Sequence, residues 1–324
     1  MAVVLRVDFG SLTSKRFGEN EAPILTLKPT PCSLDAFTLF GVVMSAFFPI
    51  DPETLAIKHQ DAKAVGLSIS EGYQSTTPYH YTCVENFLPS AILERVREEA
   101  LAQGDKEAQH ASGNERLKTS FNPDRLPTYS RSVFHALNSR PFIQFLEQMS
   151  GISGLIPDPY FLGGGIHRTN TTGFLSIHAD FNHHAIMNLE RRLNLLIYLN
   201  PDWKEEYGGS FEVWTNNMES KVASFAPVMN RMCCFSTGSD TMHGNPEPVN
   251  HPDGDPRLSI ALYYYTATWE DGRTSQSTVF KQRPGSTDAK SHEAMLRVVR
   301  DVVPPLLYRK TRNVAARIGT LFRK

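Results

Sequence analysis

The chain has 324 residues, 40% of them hydrophobic and 21% charged, with a formal net charge of −1. That is the composition of an ordinary folded protein, and it excludes binding to a polyanion such as nucleic acid by bulk charge. The length suits one large all-β domain with extensions or two smaller domains, and a chain of this size buries a core without disulfide staples.

The four cysteines, Cys32, Cys83, Cys233 and Cys234, contain no CxxC pair, which argues against a thiolate zinc site. Cys233 and Cys234 are adjacent, so in a strand they face opposite ways. All four read as free thiols in a reducing compartment. The start, MAVVLRVDFG, lacks the pattern of a secretory signal, and a cytoplasmic location is expected.

In chain order, residues 1–75 read as an N-terminal extension of unassigned role. Its apolar stretch, Ala36 to Ile50, is too short to span a bilayer and predicts a buried helix. A capped helix is expected from Asp51, with Pro52 just inside it. A domain over 76–270 follows. YHYTCVENFLP reads as a strand and turn, and Ser90 as the cap of the helix AILERVREEALA. Gly104 to Pro127 is polar and rich in turn formers, and reads as a loop, either ordered over substrate or, the slightly favoured reading, mobile. A helix over about Ser132 to Met149, broken near Pro141, is expected next.

From Tyr160 to Trp269 the pattern changes to short strands: FLSIHAD, RLNLLIYLN, GGSFEVW, KVASFAP, RMCCFS and RLSIALYYYTA. Their spacing predicts a mainly β fold with flanking helices (α+β), built on an antiparallel jelly roll. Residues 271–324 read as a linker and a basic helical tail. Over 291–324 eight basic residues face two acidic ones, +6, whereas the rest of the chain carries 25 against 32, −7. Val314, Ile318, Leu321 and Phe322 form its apolar side. The tail reads as a cap on the barrel with its basic face in water; the alternative is weak docking on an anionic membrane or an acidic partner protein.

The chemistry sits in the strands. In FLSIHAD, His178 and Asp180 point to one face of a strand and Ile177 and Ala179 to the other. An imidazole and a carboxylate so placed supply two neighbouring ligands of an octahedral metal. His243, in DTMHGNPEP, lies 65 residues downstream and is the candidate third. Two histidines and one carboxylate leave three positions open, as non-haem Fe(II) oxygenases require. Fourteen residues on, Arg257 and Ser259 share a strand face, and an arginine fork beside a hydroxyl suits a carboxylate. Tyr198 offers a phenol from another strand. Asn194 and Arg192 share the Tyr198 face and are candidates for the cavity wall. His183 and His184 read as loop residues, Gly208 and Gly209 as turn residues, and Trp203 and Trp214 as packing residues. The glycines at 163–165 are not a phosphate loop, since no GK[ST] follows.

The runs HADFN, RRLNLLIYLNPDW, EEYGGSFEVW, FAPVMNRMCCFS, MHGNPEP and RLSIALYYYT, with ENFLPSAILERVREEA upstream, resemble the prolyl 4-hydroxylase-like branch of the Fe(II)/2-oxoglutarate dioxygenase superfamily. The resemblance covers roughly Tyr79 to Trp269. It implies a double-stranded β-helix core and iron held by His178, Asp180 and His243. It implies that Arg257, with Tyr198 and Ser259, holds the distal carboxylate of 2-oxoglutarate. The family usually carries a tyrosine about ten residues before the first histidine; this chain has His167 and Arg168 there. The implied activity is hydroxylation of an unactivated C–H bond using O₂, with release of succinate and CO₂. Ascorbate is an optional auxiliary reductant. An acid at position 180 argues for hydroxylation over halogenation, since related halogenases carry a small residue there. Peptidyl proline and small amino-acid, sugar or natural-product substrates all remain open. The alternatives in other classes are an inactive jelly-roll binding protein or sensor, and a metal-dependent isomerase or hydrolase.

Overall fold

In the computed structural model, residues 46–104, 109–111, 114–270, 272–286 and 288 are described. The helices are α1 (His59–Ser68), α2 (Ser70–Gln74), α3 (Ser90–Ala102), α4 (Thr128–Leu137) and α5 (Arg140–Ser150). The strands up to the centre of the chain are β1 (Tyr81–Val84), β2 (Gln109–Ala111), β3 (Glu115–Phe121), β4 (Ile156–Pro157), β5 (Gly165–Ala179), β6 (His183–His184) and β7 (Leu189–Tyr198). They are followed by β8 (Phe211–Trp214), β9 (Lys221–Phe225), β10 (Met232–Ser236), β11 (His243–Asn245), β12 (Arg257–Thr266) and β13 (Val279–Phe280).

Hydrogen bonding runs in the order β1-β10-β7-β12-β5-β11-β8-β9. The hinge of this order is β5. Its first part, Gly165–Thr169, pairs with β12, and its later part, around Leu175–His178, pairs with β11. Between them Thr172 takes φ 66°, which breaks the regular pleat where β5 changes partner from β12 to β11. The order is that of a double-stranded β-helix, the jelly roll expected from the strand spacing.

Side chains alternate along β12 and along β7 from Leu193 onward. Leu193, Leu195 and Ile197 of β7 face outward into the large core, with Leu258, Ile260 and Leu262 of β12. The helices close that core. Phe142, Ile143, Phe145, Leu146 and Met149 of α5 fall at helical spacing and are buried there. Asn194, Leu196, Ser259 and Tyr263 face the other way, into the barrel. Cys234 joins the outer core and Cys233 an inner cluster, as adjacent strand residues must.

Several expectations need correction. Gly104–Pro127 is not simply a loop: among its described residues Glu115–Phe121 forms β3, which pairs with β5 along its length. Its polar side chains hid a strand whose partner lies about fifty residues away in sequence. Asp51 caps a turn, not a helix: its carboxylate accepts from the backbone N–H groups of Glu53 and Thr54, and the first helix begins at His59. Ser90 is the first residue of α3 and makes no side-chain cap. Of the helix expected over Ala36 to Ile50, residues 46–50 are non-helical, with Ile50 in a bridge to Ile57; the remainder lies outside the described residues. The broken helix is α4 and α5, parted at Asn138 and Ser139, with Pro141 inside the first turn of α5.

Residues 46–75 share the large core. Phe48 and Tyr73 are fully buried, and Phe48 meets Phe87, Phe142 and Phe145. At the other end, β13 pairs with Ala179 and His178 of β5. The basic tail over 291–324 lies outside the described residues.

Candidate active site

His178 lies near the end of β5, Asp180 one residue past it, and His243 opens β11. Antiparallel pairing of β5 with β11 sets His243 directly opposite His178, so 65 residues of sequence separation become a cross-strand contact. His178 Nε2 lies 3.6 Å from Asp180 Oδ1, and His243 Nε2 lies 3.3 Å from Asp180 Oδ2. One donor atom from each residue falls within 4.8 Å of the others, and all three side chains are buried.

The histidines are oriented for this convergence. His178 Nδ1 is 2.8 Å from the carbonyl of Ser176, and His243 Nδ1 is 2.8 Å from the carbonyl of Thr241. A carbonyl only accepts, so each Nδ1 carries the proton and each Nε2 presents its lone pair. Two aimed lone pairs and a carboxylate fit a divalent cation such as Fe(II).

Asp180 is ionised. Burial works against its charge, but the Arg191 guanidinium and His243 hold the carboxyl well below the usual range. Arg191 Nη2 sits 3.0 Å from Asp180 Oδ2, and Asn194 Nδ2 donates to the same oxygen at 3.2 Å. The guanidinium lies 3.6 Å from the centre of the Tyr263 ring and 4.4 Å from that of Phe181. Strict alternation would turn Arg191 away from this face. A register shift opposite Tyr264 and Tyr265 leaves Arg192 as the extra residue, and the bulge re-aims Arg191 onto Asp180. Sequence periodicity therefore missed Arg191 and offered Arg192, which instead bonds Thr266 at 3.4 Å.

The triad shares a cavity of about 70 Å³ with Arg257 and Ser259. Arg257 is 5% exposed, and its Nε donates to the carbonyl of Gly209 at 2.7 Å. Gly209 takes φ 68°, and a Cβ there would come within 2.8 Å of Arg257 Cδ, so this turn is also the bed of the arginine. Tyr198 pairs in register with Ser259, and its hydroxyl accepts from Arg257 Nη2 at 3.4 Å. It stands behind the arginine, outside the cavity lining. Ser259 Oγ is fully buried with no hydrogen-bond partner, and Asn245 Nδ2 from β11 is likewise unpartnered. A buried, unpaired hydroxyl and amide beside a cationic fork are what a bound carboxylate would satisfy.

His167 and Lys118 complete this end of the wall. Burial, and then the nearby Lys118 charge, press His167 down to about 3, so its ring is neutral; Nε2 lies 2.8 Å from the Gly163 carbonyl. Lys118 sits on β3, opposite Thr169 of β5, which is itself opposite Arg257 of β12. Misreading β3 as a loop concealed Lys118. His184 is no ligand: it is fully buried, 3.2 Å from Asp158.

Residues 164–265 match the family described as "2OG-Fe(II) oxygenase superfamily". No curated protein matches the chain. Among solved structures, the chain is similar to a prolyl-4-hydroxylase from Pseudomonas putida, at 15% identity and a TM-score of 0.44, over 62% of this chain and 98% of that one. A prolyl hydroxylase from Trichoplax adhaerens, in complex with a hypoxia inducible factor peptide fragment, gives 19% identity and a TM-score of 0.42, over 64% and 91%. HygX from Streptomyces hygroscopicus, with nickel and 2-oxoglutarate bound, gives 13% and 0.41, over 67% and 94%. No helix among the described residues is long and apolar enough to cross a membrane. The family match begins one residue before β5 and ends within β12, and so spans His178, Asp180, His243, Arg257 and Ser259.

Proposed function

We propose that the chain is a hydroxylase that binds Fe(II) through His178, Asp180 and His243 and takes 2-oxoglutarate as cosubstrate. The observation that carries this reading is one buried cavity with two histidines, each pinned through Nδ1 so that Nε2 faces Asp180, and a cationic fork with an unpaired hydroxyl on a neighbouring wall. The iron–cosubstrate pair, when bound, supplies the oxidising power drawn from O₂, with 2-oxoglutarate leaving as succinate and CO₂.

The chain's own residues position and shield. Arg257 takes the distal carboxylate in a charge-assisted fork, with Ser259 Oγ as a further donor. Tyr198 fixes the rotamer of Arg257 from behind, and the Gly209 carbonyl fixes its Nε. Arg191 and Asn194 hold Asp180 ionised and limit its rotation, leaving one oxygen for the metal. Phe211, Phe235 and Leu196 exclude water from one side.

The substrate is a peptidyl residue such as proline, or equally a small amino acid, sugar or natural product, since the fold does not fix it. We further propose a cytoplasmic site of action, to which the free thiols of Cys83, Cys233 and Cys234 are suited, and ascorbate as an auxiliary reductant. The test is succinate formation by the purified protein with Fe(II), O₂ and substrate extracts. Formation that requires 2-oxoglutarate and disappears in folded Asp180→Ala supports the reading. A product formed without 2-oxoglutarate would indicate a hydrolase or isomerase, and no metal binding would indicate a binding protein.

A further inference from the structure

Cys83 of β1 and Cys233 of β10 stand directly opposite each other in an antiparallel ladder. In the same ladder Ser236 N donates to the carbonyl of His80 at 2.8 Å, which makes 80 and 236 a hydrogen-bonded pair. Such pairs alternate along the ladder, so 83 and 233 form a non-hydrogen-bonded pair, the closer type, with Cα atoms about 4.5 Å apart. A disulfide needs a Cα separation of about 4.4–6.8 Å. Both side chains enter one apolar cluster, and the two thiols are within hydrogen-bonding contact. Cys234 faces the opposite way, into the outer core, and cannot compete.

We propose that Cys83 and Cys233 are a reversible dithiol–disulfide pair, a modification site for oxidants of the peroxide class, set directly behind the arginine that anchors the cosubstrate. The two positions differ as such a pair requires. Cys83 is half-buried, whereas Cys233 is 1% exposed. The neighbouring Cys233 sulfur and the Arg231 guanidinium hold the Cys83 thiol below its usual range, whereas burial pushes Cys233 up. The Cys83 thiolate attacks one peroxide oxygen, giving a sulfenic acid and, with a proton, one water. The Cys233 sulfur then attacks that sulfenic sulfur, its thiol proton leaves with the hydroxide as a second water, and the S–S bond forms. Two thiols and one H₂O₂ give one disulfide and two waters.

The consequence reaches the cavity. Tyr198 packs in the same cluster as the two sulfurs, and its hydroxyl touches Arg257. Drawing the sulfurs to a bond of about 2.05 Å alters the packing beneath the Tyr198 ring and shifts the support of Arg257. This second half rests on the reading of Arg257 as the 2-oxoglutarate anchor.

The experiment treats the full-length protein with hydrogen peroxide, alkylates the remaining thiols and maps peptides by mass. The expected result is a loss of two hydrogens, a linked pair of peptides carrying Cys83 and Cys233, reversal by dithiothreitol, and no link in Cys83→Ser. In Cys233→Ser, a sulfenic acid trapped at position 83 is expected. In parallel, 2-oxoglutarate affinity measured with Mn(II) should fall several-fold in oxidised wild type and stay unchanged in peroxide-treated Cys83→Ser. Both thiols still open to alkylation, a link mapped elsewhere, or equal affinities in the two redox states would overturn the proposal. A correct link in a reduced protein that binds no 2-oxoglutarate at all would support the thiol pair and overturn the assigned function instead.

Discussion

Asp180 is a buried charge held from two sides, and its partners are as much a part of the site as its metal-facing oxygens. Removing one member of a buried ion pair leaves the other uncompensated, at a cost of about 3–5 kcal/mol. Arg191→Leu is therefore expected to destabilise the metal-free protein by about that much in denaturant unfolding, and to weaken Mn(II) binding. Equal stability would show that Asp180 does not depend on Arg191. At the far wall, Arg257→Ala should weaken 2-oxoglutarate binding by about 2–5 kcal/mol, the range for truncating one partner of a buried charge pair, as read by calorimetry with Mn(II). His167 gives a pH signature. Its folded-state value, about 3, lies below its ordinary 6.5, so between these values the unfolded chain holds a proton that the folded chain does not. Stability is then complete above about 6.5 and falls as the pH drops toward about 3. His167→Gln should flatten that slope in unfolding titrations. The triad, Arg257 and Ser259 were legible because spacing on a strand fixes the face. Arg191 was not, because a bulge is one residue of offset with no sequence mark of its own.

At the scale of elements, β5 carries the design. One strand supplies His167 and Thr169 where it pairs with β12, and His178 where it pairs with β11. The main strands were readable from turn residues and alternation, but not the length of β5, whose irregular middle reads as a break. β3 was hidden for a related reason: its polar and charged residues carry no apolar alternation, and its pairing is with a strand distant in sequence. The approach of β3 to β5 is tight. Gly165 takes φ 118°, and a Cβ there would lie 2.1 Å from the carbonyl of Phe121 at the end of β3. Gly165→Ala is expected to cost more than about 1 kcal/mol, and to increase amide exchange across Ser120 and Phe121. Unchanged protection there would mean that β3 does not rely on this glycine.

At the scale of the molecule, the boundary expected at residue 75 does not fall at a gap in the core. Phe48 is fully buried against Phe87, Phe142 and Phe145, and Phe142 also meets Tyr264 of β12, a strand that lines the cavity. The segment was opaque in sequence because its fully buried aromatics are few: Phe48 sits in irregular backbone and Tyr73 on the five-residue α2. A chain starting at residue 76 should accordingly lose its cooperative thermal transition, whereas the full chain keeps it. The account as a whole turns on one event: metal and 2-oxoglutarate entering the same cavity. The most direct measurement is anaerobic titration of the full-length protein with Fe(II) and then 2-oxoglutarate, followed by visible absorption. A metal-to-ligand charge-transfer band that needs both additions, is lost in Asp180→Ala and requires far more 2-oxoglutarate in Arg257→Ala is the predicted result. No band in the wild type, or an unaltered titration in both variants, would contradict it.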